Sequence, residues 1–199
     1  MINKQNTRER IKEEALNLFS IYGFAGGSVR DIGKKVGVRE SALYNYFPSK
    51  EALILELIND AKKNSVAIEL LTDELLENLD KPKLFIEKFV DVLLNNWNNE
   101  KQKKYLRLII IEQFRSNKVV EISINTLIKD IINIWEMIFT QMLNYKVITK
   151  GNPKIFAEEF VYPLFLLRMQ FLTKDDVSWI ELKEKSNSHI QYFWNSIKK

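Results

Sequence analysis

The sequence predicts an all-α fold, and three observations carry that prediction. The 199 residues include only six glycines and four prolines. The long stretches free of both are rich in Leu, Ile, Lys and Glu, a helical composition. Apolar residues recur at i, i+3, i+4 and i+7, the period of a helix rather than of a strand. A hydrophobic fraction of 46% suffices for one large core or two small ones.

The elements follow in order. Thr7 can cap a first helix whose apolar side is Ile11, Ala15, Leu18, Phe19 and Tyr22. Gly23 stops it in the manner of a C-terminal glycine, and Gly26-Gly27 extends the turn. Ser28 restarts a helix, with Asp31 three residues on in a near relative of the capping box. Val29, Ile32 and Val36 are its apolar face, and Gly37 breaks it after two turns. A second short helix is expected over 40–46, with Leu43 and Phe47 inward, and Pro48 forbids its continuation. Ser49 then caps a longer helix opening Lys50-Glu51-Ala52-Leu53.

Beyond that point the chain reads as one helix after another: 49–78, 82–98, 101–116, 119–146, 153–173 and 175–197, nine in all. A further break near Lys63-Asn64 is left open. The other breaks fall at Asp80-Lys81-Pro82, Asn98-Asn99, Ser116-Asn117, Lys150-Gly151-Asn152-Pro153 and Thr173-Lys174-Asp175. The expected division is a module over 1–50, continuing into the first part of the 49–78 helix, and a helical body over 51–199. The helix after Ser49 is expected to pack on the module.

Charge sorts the two parts. Residues 1–50 carry nine Lys/Arg and five Asp/Glu, whereas 51–199 carry 21 of each, so the whole excess of +4 lies in the first quarter. A positive module on a neutral body suits a polyanionic partner, although an excess this small also arises by chance. There is no cysteine, which removes disulfides and thiolate chemistry together. The polar N-terminus carries no signal peptide pattern. The apolar run Phe160–Leu167 is interrupted by Arg168, so no membrane span is expected and a cytoplasmic protein is.

Two short helices about a tight glycine turn are the helix-turn-helix pattern. Gly37 accepts the positive φ of that turn, and Gly33 is small where the helices cross. A recognition helix presents its N-terminal residues to base edges in the major groove. Arg39, Ser41 and Asn45 fall on the exposed side of helix 40–46; Arg39 can read guanine and Asn45 adenine. Ser28 heads a helix N-terminus, a natural phosphate site, and Arg30 adds a base or phosphate contact. Tyr44 either packs on the first helix or reaches a phosphate. The bland alternative for each is an ordinary solvated side chain.

The segment resembles the TetR family of bacterial transcription regulators. The resemblance is carried by Thr7-Arg8-Glu9-Arg10-Ile11, Phe19, Tyr22-Gly23-Phe24, Ser28-Val29-Arg30-Asp31-Ile32-Gly33, Val36-Gly37-Val38, Ala42-Leu43-Tyr44-Asn45-Tyr46-Phe47 and Ser49-Lys50-Glu51-Ala52-Leu53. It covers about 50 residues; the remainder matches in helix count alone. It implies a ligand-responsive repressor that binds a palindromic double-stranded DNA operator as a homodimer. It implies backbone clamps at Tyr46 and Lys50. Arg39, Glu40 and Ala42 depart from the family's usual hydroxyl residue, Lys and Thr, where bases are read.

In the body, the resemblance implies dimerisation through the last two helices, whose apolar residues include Phe160, Leu164, Leu167, Phe171, Ile190, Phe193, Trp194 and Ile197. Apolar residues at helical spacing equally describe internal core. The aromatic middle helices suit a pocket for a small hydrophobic or aromatic effector, with Phe89, Trp97, Phe114, Trp135, Phe139 and Met142 as walls. Gln113, Asn133, Gln141 and Gln170 are polar candidates there. Arg168 is expected to snorkel or to pair with an acid. No cofactor and no metal is expected. An enzyme is the rival class, and it fares badly: the lone histidine, His189, is expected at a surface or interface, and no phosphate-cradling loop or metal-ligand cluster is present. A helical ligand-binding protein without operator binding is the other rival.

Overall fold

A computed structural model describes residues 4–65, 70–114, 124–172 and 178–199. The expected breaks at Ser116-Asn117 and Thr173-Lys174-Asp175 lie outside them. Among the described residues the chain forms ten helices and no strand: α1 (Lys4–Gly26), α2 (Val29–Val36), α3 (Glu40–Leu43), α4 (Lys50–Ser65), α5 (Asp73–Leu76), α6 (Pro82–Trp97), α7 (Glu100–Glu112), α8 (Ile124–Asn144), α9 (Pro153–Phe171) and α10 (Trp179–Ile197). The expected α-class is therefore found. The helix not foreseen is α5, a single turn that starts because the Thr72 hydroxyl accepts from the Leu75 amide at 3.3 Å.

The chain divides into two compact units, Met1–Asn64 with Glu100–Ile124, and Ser65–Asn99 with Asn125–Lys199. The first unit holds α4 through residue 64 and also α7, which lies in the part of the sequence assigned to the body. The cause for α7 is its apolar face, because Tyr105, Leu106, Leu108 and Ile109 are buried and the helix packs along α1. Lys104 Nζ adds a 2.7 Å bond to Asn17 Oδ1.

In the first unit, Ile11, Ala15, Phe19, Ile32, Leu43, Phe47, Leu53 and Leu57 are buried, as periodicity predicts. Two local expectations fail. The first helix starts before Thr7, which is buried within it, and Tyr22 is 57% exposed rather than inward. Gly23 does break the helical path, with φ 70° and ψ 175°. α1 and α4 are tied by charge. Arg8 pairs with Glu56 and lies 4.6 Å over the Phe47 ring. Lys12 Nζ lies 2.9 Å from Glu9, 3.0 Å from Asp60 and 3.4 Å from Glu56.

The second unit is built on aromatic packing. Trp135 of α8 meets Phe89 at 5.1 Å, Phe139 at 5.6 Å and Phe160 at 4.4 Å between centroids. Phe193 of α10 closes on Phe160 at 4.9 Å. An isolated bridge between Ile148 and Lys198 ties the end of the chain to the α8–α9 turn. His189 is half-buried rather than superficial: its ring stacks on Phe160 at 5.4 Å, and its Nε2 lies 2.9 Å from the Phe160 carbonyl oxygen. Burial lowers its pKa, against a smaller raising effect of that bond. No described helix is long and apolar enough to cross a membrane.

Two outcomes are expected. Gly37→Ala should cost about 1–2 kcal/mol of unfolding free energy in urea titration, since a left-handed backbone is strained for any Cβ. For Glu56, burial opposes the carboxylate, but the bonds and charges of Arg8 and Lys12 outweigh it and hold its pKa below the usual value. A lowered carboxylate pKa stabilises at neutral pH, and that stability is lost as pH falls through the folded value. The urea midpoint should therefore drop as pH falls below about 4.3. Glu56→Gln should be weaker at pH 7 and show a shallower acid limb.

Candidate nucleic-acid interface

Residues 28–50 form this surface. The Ser28 hydroxyl accepts from the Asp31 amide at 3.0 Å and donates to Asp31 Oδ2 at 2.6 Å. That bond, ahead of the nearby Lys34 and Arg30 charges, lowers the Asp31 pKa. Gly37 ends α2 in the left-handed region (φ 80°, ψ 28°), its amide donating to the carbonyls of Gly33 and Lys34. Gly33 is required by proximity: a Cβ there would meet the Val38 carbonyl oxygen at 2.9 Å. Arg10 of α1 reaches the Val36 carbonyl at 3.0 Å and secures the same end of α2.

α3 is shorter than the expected 40–46. Helical bonding covers Glu40–Leu43; then Asn45 donates to Ala42 and Tyr46 to Leu43, bonds of the tighter i→i−3 kind. Leu43 and Phe47 are buried beneath this turn. Arg39, Glu40, Ser41, Tyr44 and Asn45 are exposed, Tyr46 is half-buried, and Ser28 and Arg30 are exposed on α2's side. The fold thus brings Ser28, Arg30, Arg39, Ser41, Tyr44 and Asn45 to the surface of one small module. Tyr44 is 44% exposed.

Lys50 is placed by partners that local sequence does not reveal. Ser49 caps α4 through a 3.1 Å bond from the Ala52 amide. The Lys50 ammonium then lies 4.4 Å over Phe24 and 5.6 Å over Phe19. The Phe24 amide in turn donates to Glu112 Oε1 at 2.8 Å, across 88 residues. Burial lowers the Lys50 pKa, against the charges of Glu51 and Glu112. The sequence reading missed Phe24 and Glu112 because their meeting depends on α7 packing against α1.

The residues expected in the body are placed differently. Phe89, Trp135 and Phe139 fill the aromatic core, and Trp97 packs on Phe165 at 6.3 Å; Phe114 is 82% exposed and belongs to the other unit. Met142, with Leu71, Leu76, Phe85, Met137 and Tyr145, lines an apolar cavity of about 410 Å³, and none of Phe89, Trp97, Phe114, Trp135 and Phe139 borders it. Gln141 borders the same cavity, Gln113 is half-buried in the other unit, and Asn133 and Gln170 are exposed. Of the expected interface residues, Phe160, Leu164, Ile190, Phe193 and Ile197 are buried in their own unit. Leu167, Phe171 and Trp194 are half-buried against that core. The apolar residues that α9 and α10 leave exposed are Ile155, Tyr162, Leu166, Ile180 and Tyr192. Periodicity marks both faces of such helices as apolar and does not say which one turns inward. Arg168 neither snorkels nor pairs with an acid among the described residues: it is buried, 4.9 Å over Trp97.

A helix capped by Ser28, a left-handed glycine turn and a second turn with an exposed polar face define a helix-turn-helix protein. Residues 11–57 match the family described as "Bacterial regulatory proteins, tetR family", and this segment is similar to that family. It is 40% identical over 70 residues to the HTH-type transcriptional regulator YdgC of Bacillus subtilis, covering 35% of this chain and 34% of that protein. It is 38% identical over 63 residues to the regulator UidR of Escherichia coli, 32% of each chain. The chain thus spans about a third of the length of these curated relatives. Over its full length it shares the fold of a TetR transcriptional regulator from Chloroflexus aurantiacus (TM-score 0.77, 19% identity, 100% of this chain and 99% of that one). A regulator from Aquifex aeolicus matches at TM-score 0.66 and 27% identity, over 94% and 98%.

Ser28→Ala should cost about 1 kcal/mol in urea unfolding through loss of the cap. Ser28→Asp should keep the cap but lose the bond to Asp31 and face its carboxylate, so it should be less stable than the wild type; its added negative charge should weaken DNA binding if a phosphate sits at this helix end. Unchanged DNA affinity in Ser28→Asp would remove Ser28 from the interface.

Proposed function

We propose that the protein is a cytoplasmic DNA-binding transcription regulator, a ligand-responsive repressor that binds a palindromic operator as a homodimer. The observation that carries this reading is the exposed row Arg39, Ser41, Tyr44 and Asn45, held over buried Leu43 and Phe47 within the segment that matches the TetR family. Arg39 and Asn45 read base edges, and Ser28, Arg30, Tyr46 and Lys50 hold phosphates. Lys50 swings from the Phe24 ring to do so. Glu40, exposed beside Arg39, accepts from cytosine or repels phosphate. It is also what favours the second reading, a helical ligand-binding protein that reads no operator.

One module offers few contacts, so two copies read two half-sites about a helical turn apart. The dimer forms through the outward faces of α9 and α10, where Ile155, Tyr162, Leu166, Ile180 and Tyr192 need cover. The 410 Å³ cavity beside Met142 is within the range of small-molecule sites, and its apolar lining favours a hydrophobic effector. Such an effector releases DNA only by binding one conformer of the dimer better than the other.

Fluorescence anisotropy with DNA from upstream of the protein's own gene tests this. Binding should weaken steeply with salt, and Lys50→Ala should weaken it on all sequences alike. Arg39→Ala should cost about 1–3 kcal/mol on the specific site and less on random DNA. Equal losses on both would remove Arg39 from base readout, and no binding at all would favour the second reading. Leu166→Glu should give a folded monomer by light scattering, with operator affinity reduced at least ten-fold.

A further inference from the structure

Arg168 stands out in the second unit. It lies on α9 and is 1% exposed, with its guanidinium carbon 4.9 Å over the Trp97 ring and 5.6 Å over Phe165. Its Nε and Nη1 have no hydrogen-bond partner among the described residues. Those two atoms carry three of the five guanidinium N–H bonds. Aromatic faces offset the charge but accept no hydrogen bond in the plane of the group. A buried cation is ordinarily paired, because leaving it unpaired forfeits its hydration without return. Burial pulls its pKa down to about 9, which still leaves it a cation at neutral pH.

The surroundings point the same way. Ser186 of α10 is fully buried and its hydroxyl has no partner among the described residues. α10 runs antiparallel to α9: His189 and Phe193 meet Phe160, while Glu181 and Leu167 border one groove further along. Ser186 therefore lies from His189 toward the Arg168 end of α9. The neighbouring side chains Leu164 and Leu172, one turn to either side of Arg168, are buried and apolar. This place is distinct from the Met142 cavity. Phe85 at that cavity and Trp97 beneath Arg168 are twelve residues apart on α6, about 18 Å along the helix.

We propose that Arg168 is the anchor of a second ligand site in the body, which takes the carboxylate of an apolar organic acid between α6, α9 and α10. The carboxylate accepts from the guanidinium, which is the planar, bidentate pairing that arginine favours. The apolar remainder packs on Trp97 and Phe165. The site requires neither operator binding nor the Met142 cavity, so its success or failure is independent of both.

The test uses the full chain without DNA. Formate, benzoate and octanoate are titrated against benzyl alcohol and octanol at constant ionic strength, read by tryptophan fluorescence and thermal melting. The wild type should bind at least one carboxylate ten-fold more tightly than its alcohol. Arg168→Met, which keeps bulk and removes charge, should lose that preference and leave alcohol binding unchanged. Should Arg168→Met not fold, Arg168→Lys is read for the same selective loss. Equal binding of acids and alcohols by the wild type, or an undiminished acid preference in the variant, overturns the proposal.

Discussion

The first unit depends on one long-range constraint, the joining of α7 to α1. The bond from the Phe24 amide to Glu112 closes it at one end, and the Lys104–Asn17 bond adds to it along the helix. Phe24, so fixed, presents its ring to the Lys50 ammonium. The N-terminus of α4 is thereby set by a carboxylate far along the chain. A bond to a charged carboxylate is among the stronger neutral-to-ion contacts, and here it serves an amide at a turn where the helical ladder is interrupted. The helix-turn-helix segment is thus not self-sufficient in sequence. It borrows a wall from residues 100–112.

A second constraint is electrostatic. Arg8 and Lys12 of α1 face Glu56 and Asp60 of α4, so much of the module's charge is spent in holding two helices together. What remains outward is Arg30 and Arg39, together with Lys34 and Lys35, which are themselves pulled toward Asp31 and Glu14 at 3.7 and 3.4 Å. The excess of +4 is therefore less a diffuse field than a few placed cations. Specific geometry, more than net charge, has to supply affinity.

The fold was legible where signals are local. Ser28, Gly37, Pro48 and Ser49 mark helix ends by capping and backbone chemistry, and each holds in the structure. The one-turn α5 escaped because a four-residue helix has no periodicity to read. The body was less legible. α9 and α10 carry apolar residues on more than one face, so the sequence names candidates for core and interface without sorting them. Phe160 and Phe193 went inward, Tyr162 and Tyr192 outward. Phe114 could not be known as exposed from aromatic content alone. Arg168 was expected to snorkel or to pair with an acid, since nothing local distinguishes a cation at a protein's rim from one sealed over a tryptophan.

The short α3 has a consequence for how such a protein changes over time. Its structural work is done by Leu43 and Phe47 below and by Gly33 and Gly37 before it. The residues above, Arg39, Glu40, Ser41, Tyr44 and Asn45, lie exposed and bear little of the packing. Surface substitutions of that kind usually shift stability by less than about 0.5 kcal/mol. On the function proposed above, recognition and folding are nearly uncoupled at these five residues. On that reading, a lineage carrying this scaffold exchanges its operator by point mutation without first finding a compensating change in the core.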